Sequence, residues 1–307
     1  MKWQGREGSN NIEDRRGEGV PGGGFGGGPF ARGGGMRIPI GRRGGAGGLI
    51  GIAILLVICL VLGINPLVLL DNGSMEGPYT GGYTQTLPPP AQTADQQQLV
   101  NFVSVVVKDT ENFWTGWFDK QGRSYTPPKV VLFSDATQSG CGVAEAASGP
   151  FYCPDDRKVY LDLTFYNQLR RQFGAPGDFA QAYVVAHEVG HHVQNLLGIL
   201  PKVEAARQNM SPDQANAVSV RLELQADCYA GAWANYEGKE KFLDNGDTQE
   251  AINAANQIGD DTLQQAAGMP AQPRTYTHGS SAQRMKWFQV GLNSGDPAAC
   301  DTFSKPV

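Results

Sequence analysis

Six consecutive residues, His187-Glu188-Val189-Gly190-His191-His192, constrain this chain more than any other stretch. They hold the pattern H-E-x-x-H. On an α-helix, residues four apart share a face, so His187 and His191 can ligate one metal ion. Glu188 then stands beside that ion, where a general base for water is required. The pattern works only on a helix, and the spacing supplies one. Phe179, Ala182, Tyr183, Ala186, Val189, Val193 and Leu197 recur at three- and four-residue intervals. Asp178 reads as the N-cap of this helix and Gly198 as its stop. The chain has only four histidines and three of them sit here, which argues against a chance match on a buried helix.

Two histidines leave a zinc ion short of ligands, since catalytic zinc takes three protein ligands and keeps one position open. A third histidine six residues after His191 would complete a metzincin, but Leu197 occupies that place, and Gln194 stands where that pattern needs glycine. The third ligand must come from further on. Glu223 and Asp227 are four apart in Arg221-Leu222-Glu223-Leu224-Gln225-Ala226-Asp227, and their apolar neighbours argue against a fully exposed face. Glu223 is read as the ligand. Asp227 is read as accepting a hydrogen bond from the free N–H of a ligand imidazole. The reverse assignment, with Asp227 as ligand and Glu223 in support, is the alternative. The set His187, His191 and Glu223 is that of a gluzincin.

The chain also resembles a narrower group, the bacterial neutral zinc metallopeptidases. The stretches that carry the resemblance are Lys2-Trp3-Gln4-Gly5-Arg6, Glu13-Asp14-Arg15-Arg16-Gly17, Gly149-Pro150-Phe151-Tyr152-Cys153-Pro154, and the sequences AHEVGHHVQ from Ala186, RLELQADCYAG from Arg221 and THGSSAQR from Thr277. The resemblance implies a membrane-anchored zinc peptidase acting on peptide or protein substrates.

Before the metal helix, the chain divides by composition. Residues 1–46 read as a disordered, Gly/Arg-rich cytoplasmic arm, because half of residues 17–48 are glycine and little there can pack. The block from Lys2 to Arg16 is less degenerate and reads as a docking peptide. Residues 47–70 carry no charge and are long enough to span a bilayer core. Arg32, Arg37, Arg42 and Arg43 precede this run, and Asp71 and Glu76 follow it. By the positive-inside rule the run is an uncleaved, single-pass signal anchor in the inner (cytoplasmic) membrane, with the N-terminus cytoplasmic and the catalytic domain periplasmic or otherwise extracytoplasmic. Residues 71–92 form a Gly/Pro/Thr/Gln linker, and the metallopeptidase domain spans 93–307. A net charge of −5 gives no reason to expect nucleic acid binding.

Within the domain, Thr93 opens a helix through a capping box. Val130–Phe133 and Val159–Leu163 read as strands, with Val159–Leu163 as the sheet edge beside the metal helix, by analogy with zincin-like folds. Thr164–Phe173 reads as a short helix. Ser211, Asp247 and Ser280 read as starts of later helices, and Asp260 and Asp261 as a helix cap or a cation site. The fold class is α+β: a zincin-like metallopeptidase domain, mainly helical with a small sheet, after one transmembrane helix. Four cysteines follow the apolar run, an even number that suits two disulfides in an exported domain. Cys141 and Cys153 bracket one loop and should pair, which leaves Cys228 with Cys300. His278 is the one histidine outside the motif. Related membrane gluzincins carry Thr-His-Pro with an arginine six residues after the histidine; His278 and Arg284 keep that spacing, with Gly279 in place of the proline. His278 is read as a catalytic, oxyanion-stabilising imidazole and Arg284 as a supporting residue. The function that follows is peptide-bond hydrolysis with zinc as cofactor and Glu188 as base. The rivals are a zinc-binding scaffold or chaperone without turnover, and an amidase acting on cell-wall peptides.

Overall fold

The structure, a computed structural model, describes residues 1–18, 93–145, 149–171 and 177–307. The apolar run at 47–70, the linker at 71–92 and most of the Gly/Arg-rich stretch lie outside these residues. Among the described residues, no helix is long and apolar enough to cross a membrane.

The strands in chain order are β1 (Ile12–Asp14), β2 (Lys129–Phe133), β3 (Ala136–Ser139), β4 (Gly142–Glu145), β5 (Phe151–Cys153) and β6 (Lys158–Asp162). One sheet has the order β1-β2-β6-β5, and β3 and β4 form a separate hairpin. β2 pairs parallel with both β1 and β6, while β5 runs antiparallel to β6. This corrects the expected edge. Val159, Tyr160 and Leu161 are each buried in the second strand from the end, as a continuous apolar run requires when both faces are covered. The edge on that side is β5.

The helices are α1 (Ala94–Lys120), α2 (Phe165–Arg171), α3 (Asp178–Leu196), α4 (Ile199–Arg207), α5 (Pro212–Lys239), α6 (Asp247–Gln257), α7 (Asp260–Ala266) and α8 (Ser281–Ser294). Thr93, Ser211 and Ser280 each form a capping box with the glutamine three residues on, so these starts lie where the sequence puts them. Two caps are shifted by one residue. Gly177, with φ 120°, is the N-cap of α3, and Gly246, with φ 101°, is that of α6. Asp178 and Asp247 are instead first-turn residues, and their carboxylates face the Met1 ammonium at 2.6 and 3.3 Å. Asp260 and Asp261 fill the first turn of α7, whose N-cap is Gly259.

The helical layer is drawn together by small residues. A Cβ on Gly231 of α5 would fall 2.0 Å from the Phe288 carbonyl oxygen of α8, and one on Gly291 of α8 would fall 1.9 Å from that of Cys228. No other residue type permits this backbone approach. The cysteines pair as Cys141–Cys153 and Cys228–Cys300, the second tying α5 to the chain after α8.

The largest departure from expectation concerns the N-terminus. Residues 1–18 are not a disordered arm: Met1–Glu18 belongs to the same compact unit as the helical domain. Ile12, Glu13 and Asp14 lie in register with Val130, Val131 and Leu132. The Ser9 amide donates to the Ser104 carbonyl at 2.9 Å, and the Ser104 hydroxyl donates to the Ser9 carbonyl at 3.1 Å. Arg6 stacks on the Phe242 ring 3.3 Å from its centroid, bonds Asp109 and lies 3.7 Å from Glu237. Asp109 and Glu237 are buried, and three of their four carboxyl oxygens have no hydrogen-bond partner among the described residues. Burial raises the pKa of both carboxyls, the Asp109 charge adds to the rise at Glu237, and Arg6 offsets this only in part.

Both carboxyls thus hold protons more tightly in the folded state than in the unfolded one. Their contribution to stability is complete below the ordinary carboxylate pKa and is lost as pH rises through the raised values. We expect the urea midpoint to fall between mildly acidic and alkaline pH, and Glu237→Gln to flatten that fall. Arg6→Ala should cost on the order of 3 kcal/mol at neutral pH, as loss of one partner of a buried ion pair does. An unchanged midpoint in Arg6→Ala would refute this role.

Candidate metal centre

The two helices that carry the motif residues cross at a glycine. A Cβ on Gly190, between the two histidines of α3, would meet Ala226 of α5 at 3.2 Å. This approach brings Glu223, one turn before Asp227, to the histidines. His187 Nε2 lies 3.2 Å from Glu223 Oε2 and 3.2 Å from His191 Nε2, and His191 Nε2 lies 3.4 Å from Glu223 Oε1. Zinc bonds of about 2.05 Å in a tetrahedron place neighbouring ligand atoms about 3.3 Å apart. The two Nε2 atoms are thus spaced as two corners of a zinc tetrahedron, and the Glu223 carboxylate reaches each of them at similar distance through one of its oxygens, so these residues fit the ion.

The other ring nitrogens support the same reading. His187 Nδ1 donates to Asp227 Oδ1 at 2.8 Å, and His191 Nδ1 donates to Gln194 Oε1 at 2.8 Å. The Gln194 amide is fixed in turn, because its Nε2 donates to the Leu222 carbonyl and to Gln225 Oε1. With both Nδ1 atoms occupied as donors, both Nε2 lone pairs face the shared space. Asp227 is fully buried and also accepts from the Tyr183 hydroxyl at 2.5 Å and from Arg284 Nε and Nη2 at 2.9 Å each. Of the two assignments of the acidic pair, this arrangement fits Glu223 as ligand and Asp227 as the group that orients His187. Burial alone would raise the Asp227 pKa, but Arg284 and His187 hold it down at about 2. With no metal bound, burial would lower the His187 pKa, yet Asp227 and Glu223 outweigh it and lift it to about 10. His191 is raised in the same sense, burial being outweighed chiefly by Glu223.

These groups line a cleft of about 540 Å³. Glu188, 8 % exposed, lies on its wall next to the ligand histidines. The β5 edge borders it through Phe151 and Tyr152, and Leu200, Leu222, Ile258 and Leu263 add apolar surface. His278 stands at the rim, with its side chain 52 % exposed. Its Nδ1 lies 3.2 Å from Asp260 Oδ1, while Asp260 Oδ2 accepts from the backbone amides of Thr277, His278 and Gly279. Burial lowers the His278 pKa, but Asp260, with help from Glu223, raises it overall. Asp260 thus has a definite place: it shapes the His278 loop and turns the ring toward the cleft.

Four contributors escape a reading of the motif alone. Gln194, one turn after His191, fixes that ring; its helical spacing was the available signal. Tyr183 shares Asp227 with His187. His192 faces away from the ligand set: its Nε2 donates to the Thr126 carbonyl at 2.8 Å, and its Nδ1 accepts from the Tyr152 hydroxyl at 3.1 Å. Asn195 donates to the same hydroxyl at 2.8 Å, so the helix that carries the histidines is fastened to the edge strand. Burial pushes the His192 pKa down to about 4 and keeps this ring neutral.

Residues 1–303 match the model of the family described as "Putative neutral zinc metallopeptidase", and the chain belongs to that family. It is 45 % identical to the "Uncharacterized protein YpfJ" of Escherichia coli strain K12 over the full length of both chains. It is 49 % identical to the "Uncharacterized protein Rv2575" of Mycobacterium tuberculosis strain H37Rv over 191 residues, 59 % of this chain and 64 % of that one. No solved structure matches the chain.

Zinc and protons compete for the same Nε2 atoms. Below its raised pKa His187 carries a proton that the metal must displace, so metal binding should release protons at neutral pH. We expect apparent zinc affinity to fall on acidification, by about tenfold per pH unit for each proton displaced, measured by calorimetry in buffers of different ionisation enthalpy. Glu223→Ala should lose the metal by elemental analysis; full retention would remove Glu223 from the ligand set.

Proposed function

We propose that this protein is a zinc-dependent peptidase that hydrolyses peptide bonds in a zincin-like cleft, with His187, His191 and Glu223 holding the metal. The observation that carries the reading is the approach of His187 Nε2, His191 Nε2 and the Glu223 carboxylate to within 3.2–3.4 Å of one another, with both Nδ1 atoms held as donors and a second carboxylate, Glu188, adjacent. When bound, zinc supplies Lewis-acid chemistry: it polarises a carbonyl and lowers the pKa of water.

The chain's own residues supply the rest. Glu188 accepts the proton of the attacking water and returns it to the leaving nitrogen. Asp227 and Gln194 hold the two imidazoles, so the ligand atoms need not reorganise. His278, oriented by Asp260 and carrying its proton more firmly than a free imidazole, donates to the oxygen on which negative charge develops. The edge strand β5, rather than β6, offers unpaired backbone groups to an extended peptide. Its position is held by the bonds of Tyr152 to His192 and Asn195. The apolar run at 47–70 brings the enzyme to the membrane, and the two disulfides favour an oxidising compartment.

The test is Glu188→Gln, which preserves shape and removes the base. It should bind zinc and fold as the parent does and lose about 10²–10⁴-fold in peptide cleavage, measured on peptides found by mass-spectrometric profiling with and without chelator. Undiminished cleavage with normal zinc would exclude Glu188 as base. Asp260→Asn should lower kcat more than it raises KM, because it acts through His278 on the developing charge.

A further inference from the structure

We infer that residues 1–18 and 93–307 lie on the same side of the membrane. A single pass by the run at 47–70, with the N-terminus on one face and the metal domain on the other, is incompatible with the fold. The inference does not depend on the catalytic reading.

The contacts that require it are short-range and distributed. The Arg15 amide donates to the Leu132 carbonyl at 2.8 Å and the Val130 amide to the Asn11 carbonyl at 2.8 Å, which fixes β1 on β2. Ser9 Oγ and Asn11 Nδ2 both donate to Glu111 Oε1, at 2.6 and 2.8 Å. The Lys2 amide donates to the Phe242 carbonyl at 2.7 Å. Lys158 Nζ lies 3.0 Å from both carboxylate oxygens of Glu13. A bilayer core of about 30 Å cannot lie between groups that meet at hydrogen-bond distance. A β1 strand lent by a neighbouring copy would be bound by the same rule.

Energetics point the same way. Without residues 1–18, Asp109 and Glu237 lose the Arg6 guanidinium that reaches them, and β2, whose Val130, Val131 and Leu132 are fully buried, loses a paired neighbour. Two buried carboxyls without a counter-charge and a bared apolar strand edge are both costly. The metal domain is therefore incomplete when it starts at residue 93. The arginines at 32, 37, 42 and 43 favour a cytoplasmic position for the start of the apolar run. Under the inference they cannot at the same time place residues 1–18 and the domain on opposite faces.

The experiment uses the full chain in cells, with Cys59→Ala to remove the thiol in the apolar run. One variant carries Lys2→Cys and a second Asp213→Cys, both at exposed positions. Each is exposed to a membrane-impermeant maleimide in intact spheroplasts and again after lysis. We expect the two positions to label alike before lysis, both reactive or both protected, and both to react after it. A third variant carries Gly8→Cys with Ser104→Cys. A Cβ at position 8 would lie 3.2 Å from that of Ser104, near the span of about 3.5–4.5 Å that a disulfide bridges. Peptide mapping after mild oxidation should find the two peptides joined and separated by reductant. Labelling of one position but not the other in intact spheroplasts would overturn the inference. So would absence of the joined peptide from folded, zinc-loaded material.

Discussion

One buried carboxylate holds the metal centre together. Asp227 has no exposed surface and receives hydrogen bonds from His187 and Tyr183 on α3 and twice from Arg284 on α8, while itself standing on α5. A charge so placed is tolerated only when it is paired and its lone pairs are filled. Here the pairing has a geometric product. It sets the ring of His187 and joins three helices at the level of the ligands. Because Arg284 offsets Asp227, the Glu223 carboxylate remains free of that pairing and faces the two histidines.

The packing around Asp227 is as exacting as its hydrogen bonding. Gly190 lets α3 approach α5 at Ala226, and Gly231 and Gly291 let α5 approach α8. The first contact delivers Glu223 to the histidines and the second delivers Arg284 to Asp227. Next to Asp227, Cys228 is bonded to Cys300, and Gln225 Nε2 donates to the Cys300 carbonyl at 2.9 Å. The chain after α8 thus buttresses the helix that supplies Glu223.

Much of this centre was legible in the sequence because its logic is helical. Spacings of four residues put His187 with His191 and Glu223 with Asp227, and a spacing of six pointed to His278 with Arg284. Arg284 does reach Asp227, and His278 reaches the cleft. Capping boxes at Thr93, Ser211 and Ser280 were readable for the same local reason. What escaped was non-local. β5 is three residues long and offers too few positions for a period to register, so the longer run Val159–Leu163 reads as the edge, a place that β6 does not hold. Residues 1–18 have weak apolar patterning and precede a glycine tract, so composition assigned them to disorder. Their order comes from pairing with β2 and from two carboxyls far along the chain. Asp178 and Asp247 carry ordinary cap chemistry, but the amino terminus occupies their carboxylates and glycines take the cap positions.

The pairing of β1 with β2 also bears on how the chain comes to be folded. Ile12 is synthesised early, yet its partner Val130 follows more than a hundred residues later. Contacts this distant carry a large loop-closure entropy and form slowly. The first strand of the sheet must therefore wait, unpaired, while the apolar run and the whole of α1 are made. Assembly from the N-terminus onward is closed to this protein, and its sheet is completed by a segment that has been waiting the longest.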